Sequence, residues 1–569
     1  MLSKNRQRLR STCTVALCLL IACLVAIPLL QIISSVGQSS DGTWQHLQET
    51  VLPGYLWNTL VLALGVGLLT TTIGVGTAWL VTSCRFPGSG ILEWALLLPL
   101  AIPSYLLAYA ATDVLQFSGP VQTFLRDTFD WSRIDYWFPN ARSLPGAIVI
   151  LSVNLYPYVY LASRAAFLEQ SACVREMSRT LGLGQWQSFF RVSLPMARPS
   201  IFIGLSLVIM ETLSEFGAVD YCAVDTLATG IYRTWTSRGS LIAASQLSLC
   251  LLGAVAFLIA FESVSRASLR FHSSDESNRV AACIPLSLFR GLAASLFCWL
   301  PIAAGFLLPT LIFTHKTWVN GDQRAVEMLA DLGTHSLILA TIAAALAVGL
   351  GVHVAHARRT HPTMVVKMAA RISGLGYAIP GGVIAMGVLG AILHAENGLN
   401  DAFEFLFSWS PGFFFSGSIL ALLFAYQTRF LAVSLGVIQA GLTRVSPDLD
   451  AVSRTLGKSG IKILTQVHLP ILKRTLLCAF MLVFVDVLKE LPATLILRPF
   501  NFETLAVRIY QLASDERLDE ASTAAIAIIA TGIIPVIVLS KLMSRGNSPK
   551  SHRHDPTTAN PPPLPSNHD

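Results

Sequence analysis

Four carboxylates stand in stretches of this chain that are otherwise apolar. Glu211 and Glu215 lie four residues apart, and Asp486 and Glu490 repeat that spacing in the second half. Residues four apart share one face of a helix. A charge at bilayer depth costs on the order of 3 kcal/mol, so each pair calls for a reason. One reading is a ring of hard oxygen groups, suited to a hard cation, on a pathway between the two halves. The other makes them helix-end acids near the outer ends of two equivalent spans. There they would be solvated, or paired with Lys489 or Arg498, and would shape an outer gate.

Other constellations carry less. His353, His356 and His361 sit beside Arg358 and Arg359, whose charge opposes a cation, and they read as a solvated loop. His552, His554 and His568 lie in a Pro-rich tail that cannot fix ligand geometry. The cysteines form no CxxC pair, and Cys13, Cys18, Cys23, Cys250, Cys298 and Cys478 fall inside apolar runs, so they read as small core residues. No metal is firmly assigned and no catalytic residue is found. The lone GKS, Gly457 to Ser459, has Val452 where a phosphate loop needs its first glycine. The aromatic stretch Trp131 to Phe138 reads as an interfacial belt, with a docking surface for a soluble protein as the alternative.

The elements that position the carboxylates follow from composition. Of 569 residues, 53% are hydrophobic and only 13% charged, about half the charge of an average soluble chain; mean hydropathy is +0.59. The predicted fold class is an all-α integral membrane protein. A ruler of about 20 apolar residues gives about twelve spans: 13–36, 56–83, 91–112, 144–167, 198–221, 241–262, 285–314, 333–356, 372–394, 413–439, 471–492 and 520–543. The formal charge of +7 is scattered through short loops, which excludes a nucleic-acid face. Most Lys and Arg fall in cytoplasmic segments if both termini are cytoplasmic.

The chain also repeats itself. SRTLG occurs at 178–182 and again at 453–457, an offset of 275. At that offset Leu194 and Pro195 meet Leu469 and Pro470, Glu211 meets Asp486, and Glu215 meets Glu490. After a three-residue shift, DTLATGIYR at 225–233 faces ETLAVRIYQ at 503–511. Six spans per copy give two parallel repeats, whereas many secondary transporters invert one copy. The expected organisation is a cytoplasmic N-terminal segment 1–12, a first lobe 13–262, a linker 263–284, a second lobe 285–543 and a disordered tail 544–569. Each lobe carries a long cytoplasmic loop, 168–197 or 440–474. In each, a glycine, Gly182 or Gly457, is expected to turn the chain between two short helices, with Pro195 stopping the second one in the first loop.

These loops resemble the EAA motif of ABC importer permeases. Glu176, Gly182, Leu194 and Pro195 match in the first copy. Gly457, Leu469 and Pro470 match in the second, where Ala451 stands at the Glu position with Asp450 just before it. The stretches ETLSEFGAVDY and DVLKELPATLILRPFNFETLAVRIY are similar to those of fused, two-lobed permeases of ferric iron importers, and thiamine, sulfate and polyamine permeases share much of the pattern. The resemblance implies a type I importer permease fold in a bacterial inner membrane. It also implies two separate cytoplasmic ATPase subunits holding ATP and Mg, and an extracytoplasmic substrate-binding protein, with no cofactor on this chain. A secondary transporter is the competing class.

Overall fold

A computed structural model describes residues 2–170, 180, 182, 184–267, 284–320, 323–458 and 460–546. Apolar runs close into helices because a helix satisfies every backbone group within one segment, as the bilayer requires. Among the described residues ten helices are long and apolar enough to span a membrane, or eleven if the bent pair Ser89–Ala101 and Ser104–Phe129 counts as one span. Twelve is not reached by this measure. The helix Leu469–Lys489 misses it because Lys473, Arg474 and Asp486 interrupt its apolar run. Most of the linker and almost all of the tail lie outside the described residues.

The repeat holds to the residue. Helix Leu194–Ser214 corresponds to Leu469–Lys489, and the π-helical turn Phe189–Ser193 corresponds to Leu464–His468. Helix Leu227–Arg238 faces Leu505–Ser514 after the three-residue shift.

Two expected spans are broken rather than continuous. The segment expected at 91–112 bends by 92° between Ala101 and Ser104. In the second half, helix Met364–Ser373 is followed by a 3-10 turn, and a new helix starts at Gly381. Both breaks fall at the same tripeptide, Ala101-Ile102-Pro103 and Ala378-Ile379-Pro380. A proline pushes the residue before it out of the helical region, and Ile102 (φ −98°, ψ 125°) and Ile379 (φ −97°, ψ 129°) are both extended.

The two halves are not packed as separate bodies, because each sets its first helix against the other. Helix Leu2–Ser34 packs along Gly381–Phe407 and Met364–Ser373, while Leu308–Asn320 packs on Ser104–Leu115 as well as on Leu518–Gly546. One apolar core joins Tyr109 and Tyr156 to Cys298, Phe313 and Ile528, and another joins Ile32 and Leu251 to Ala343 and Tyr426. A short parallel pairing of Cys84–Arg85 with Ile284–Pro285 adds a backbone tie between the halves.

The exchanged first helix sits so close that a Cβ on Gly387 would strike the carbonyl of Pro28, whereas Gly398 on the same helix faces open space. Gly387→Ala should therefore cost about 1–3 kcal/mol by overpacking and lower the thermal unfolding midpoint in lipid nanodiscs. Gly398→Ala should leave the midpoint unchanged or slightly raised.

Candidate functional site

The four carboxylates converge. Glu211, Glu215, Asp486 and Glu490 all line one cavity of about 150 Å³ between the halves, together with Arg429 and Lys489. Glu215 and Glu490 stand where their helices break, and Glu490 is buried. Helix Leu194–Ser214 ends at Glu215 (φ −69°, ψ 125°), helix Leu469–Lys489 ends at Glu490 (φ −67°, ψ 125°), and a short helix restarts after each. The broken backbone strands amide groups that must find acceptors. Each carboxylate supplies them. Glu215 accepts from the Ala218 amide at 2.9 Å, and Glu490 from the amides of Ala493 and Thr494, both at 3.2 Å.

The halves complete these acids differently. Glu215 accepts a hydrogen bond from the Ser104 hydroxyl at 2.5 Å, whereas Glu490 pairs with the Arg429 guanidinium at 2.9 Å. Ser104 and Gly381 each follow the proline of the shared tripeptide. A Cβ on Gly381 would collide with Arg429 and Glu490, so glycine there makes room for the ion pair. Asn154, the counterpart of Arg429 at the repeat offset, instead donates to the carbonyls of Pro99 at 3.2 Å and Ile102 at 2.8 Å. Lys489 donates to the Leu100 carbonyl across the lobe boundary at 2.7 Å. Glu490 thus pairs with neither Lys489 nor Arg498; Arg498 approaches Glu503 at 3.5 Å.

The two long loops share their turn. Gly182 and Gly457 both have φ +74°, and a Cβ on either would meet nothing within 4 Å, so left-handed backbone rather than crowding favours glycine there. Pro195 does not stop a helix, and neither does its counterpart Pro470. Both lie in the first turn of the helices Leu194–Ser214 and Leu469–Lys489, directly after a π-helical turn. The wider turn accommodates a residue that lacks an N–H. Glu176 lies outside the described residues.

Asp450 turns inward. It is buried and accepts from Arg359 at 2.7 Å, with His468 at 2.8 Å on its other oxygen. Arg359 also donates to the carbonyls of Leu442 at 2.6 Å and Val445 at 3.0 Å. His356 is buried as well, its ring 5.7 Å from that of His468. The histidine group is therefore not wholly solvated. In the first half the corresponding fastening is aromatic, with Trp79 against Trp186 at 5.2 Å and Phe189 at 4.8 Å.

Residues 70–272 match the family described as binding-protein-dependent transport system inner membrane component. The chain is 25% identical over 495 residues to the Fe(3+)-transport system permease protein FbpB 2 of Haemophilus influenzae, covering 85% of this chain and 89% of that one. It is 32% identical over 166 residues to the molybdenum transport system permease protein ModB of Escherichia coli, covering 28% of this chain and 69% of that one. To the sulfate transport system permease protein CysT of the same organism it is 27% identical over 207 residues, 36% of this chain and 72% of the relative. This chain belongs to the binding-protein-dependent transport permeases. As a member of that family it is a multi-pass inner membrane transport subunit.

The sequence reading of this permease missed Arg429 and Ser104. Arg429 left a signal, as a lone charge inside the apolar run Ile419–Thr443, and ionisable residues within spans are functional candidates by default. Ser104 left none.

The Asp450 cluster makes a pH-dependent fastening. Burial opposes its charge, yet the hydrogen bonds and positive charge of Arg359 and His468 outweigh that and hold its carboxyl below the usual aspartate range. A lowered pKa contributes stability that is present above the unfolded value, about 4, and is lost as pH falls through the folded one. Asp450→Asn should destabilise the second loop by about 3 kcal/mol. Hydrogen exchange at neutral pH should quicken in residues 447–455 and stay unchanged at Gln185–Ser188. The wild type should show the same loosening only below about pH 4.

Proposed function

We propose that this chain is the whole translocation unit of an ATP-driven importer that carries ferric iron from an extracytoplasmic binding protein to the cytoplasm. Two separate ATPase subunits bind ATP and Mg and dock on the loops 168–197 and 440–474. Glu176, Gly182, Leu194 and Pro195 shape the first surface, and Gly457, Leu469 and Pro470 the second, where Asp450 holds the loop from within. The termini are cytoplasmic. Closure of the ATPases pulls on both loops and rocks one half against the other, so that the cavity opens to each side in turn.

The observation that carries the substrate is the cavity itself. Four carboxylates outnumber Arg429 and Lys489, so the site favours a cation over a tetrahedral dianion such as molybdate or sulfate, the cargo class of the ModB and CysT relatives. Hard oxygen donors match a hard ion. Glu215, Glu490, Glu211 and Asp486 line its path.

The test is uptake of labelled ferric iron into vesicles bearing the complex, with ATP and the binding protein, against excess molybdate, sulfate, thiamine or a polyamine. Iron uptake should persist against each of them, and loss of uptake to any one would reassign the substrate. Glu215→Gln keeps shape and removes a charge that no cation neutralises by direct pairing, so uptake should fall at least about tenfold with basal ATPase activity retained. Glu490→Gln alone would strand Arg429 and destabilise the fold. Combined with Arg429→Gln it should fold and still transport poorly. Unchanged uptake in both variants would remove the acids from the path.

A further inference from the structure

Among the described residues no three His, Cys, Asp or Glu side chains come together closely enough to hold a metal ion by themselves. The cavity wall, however, also carries the phenols of Tyr105, Tyr158 and Tyr377. The Tyr377 hydroxyl lies within hydrogen-bonding reach of both Glu211 and Tyr158, and Asp486 is close enough to act on both phenols. Tyr105 is 3% exposed and its hydroxyl has no hydrogen-bond partner, although a buried hydroxyl ordinarily finds one. It stands within electrostatic reach of Glu215 and Glu490. Tyr109 and Tyr156 also carry unpaired hydroxyls, but only that of Tyr105 belongs to the cavity wall, where a partner can arrive with the cargo.

We propose that Tyr158, Tyr377, Glu211 and Asp486 form a transit site for a hard trivalent cation, with the Tyr105 hydroxyl turned to the water that the ion retains. The proposal rests on the ferric reading above. Phenolate and carboxylate oxygens are hard anionic donors. Each half contributes one phenol and one carboxylate, so the site is complete only while the halves are together, and rocking them apart dismantles it. When both phenols ionise, four negative donors meet three positive charges, and Lys489, beside Asp486 and anchored to the Leu100 carbonyl, offsets the remaining one. A divalent ion leaves the same site with excess negative charge, which disfavours it. Two protons leave to water for each ion bound.

The experiment adds ferric nitrilotriacetate to the full-length permease in nanodiscs and follows the visible phenolate-to-iron charge-transfer absorption. The wild type should show it, Tyr158→Phe and Tyr377→Phe should each retain about half, and the double variant should lose it while unfolding at the wild-type temperature. Tyr160→Phe should change nothing, because that phenol donates to the Glu93 carbonyl outside the cavity. Glu211→Gln should weaken iron binding about tenfold with the absorption still present at saturation, which separates loss of a ligand from loss of fold. A wild type that imports labelled iron without the absorption, or a double variant that keeps it, overturns the site and leaves the ferric reading standing. A wild type that imports molybdate and no iron overturns both.

Discussion

A broken membrane helix must find partners for the amides and carbonyls it strands, and the centre of this permease is arranged around that requirement. In lipid an unsatisfied backbone group costs several kcal/mol, so a span can be interrupted only where polar side chains take over. Glu215 and Glu490 do this on the two central helices by capping the short helices that follow. Their charge would be costly there without neighbours, and Ser104, Arg429 and Lys489 are those neighbours. The cavity is thus a consequence of paired breaks: where four spans interrupt at one level, side chains rather than backbone line the space.

Duplication supplied two equivalent breaks, and later divergence made them unequal. The backbone angles at Glu215 and Glu490 still agree within a few degrees, so the difference lies wholly in side chains. Ser104 with Asn154 gives the first half a neutral set, and Gly381 with Arg429 gives the second a cationic one. The loops diverged in the same sense, toward stacked aromatics in one half and an Asp450 ion cluster in the other. A fused chain permits this, since each half evolves only for its own position.

Much of this was legible in sequence because duplication is a strong signal. The offset of 275 paired the two central segments residue for residue, although the spans expected at 198–221 and 471–492 begin and end later than the helices Leu194–Ser214 and Leu469–Lys489, and the turn glycines were identified from the type of residue needed. The interruptions were not legible. Pro28, Pro157, Pro199 and Pro535 all sit inside helices that continue, so proline alone does not announce a break in a membrane segment. What sets Pro103 and Pro380 apart is tertiary: Asn154 takes the stranded carbonyls near the first, and Gly381 admits Arg429 near the second. The exchange of first helices was equally hidden, because an apolar span reads the same whichever half it covers.

That exchange bears on how the halves can move. A helix of each half belongs to the packing of the other, so rocking cannot be a clean separation along one plane. Polar ties join the halves at the cavity, where Lys489 holds the Leu100 carbonyl, and beyond the breaks as well. Tyr510 donates to Asp220 at 2.7 Å, and Lys316 bridges Asp113 at 3.3 Å and Asp519 at 2.8 Å. The Lys316 pairs are partly exposed, worth about 1 kcal/mol or less apiece, and so weak enough to be remade as the halves move. The apolar cores that cross between halves are far larger and stay closed. Motion between the halves therefore has to remake these weak polar contacts while the apolar cores hold, and the four carboxylates stand where the two halves meet.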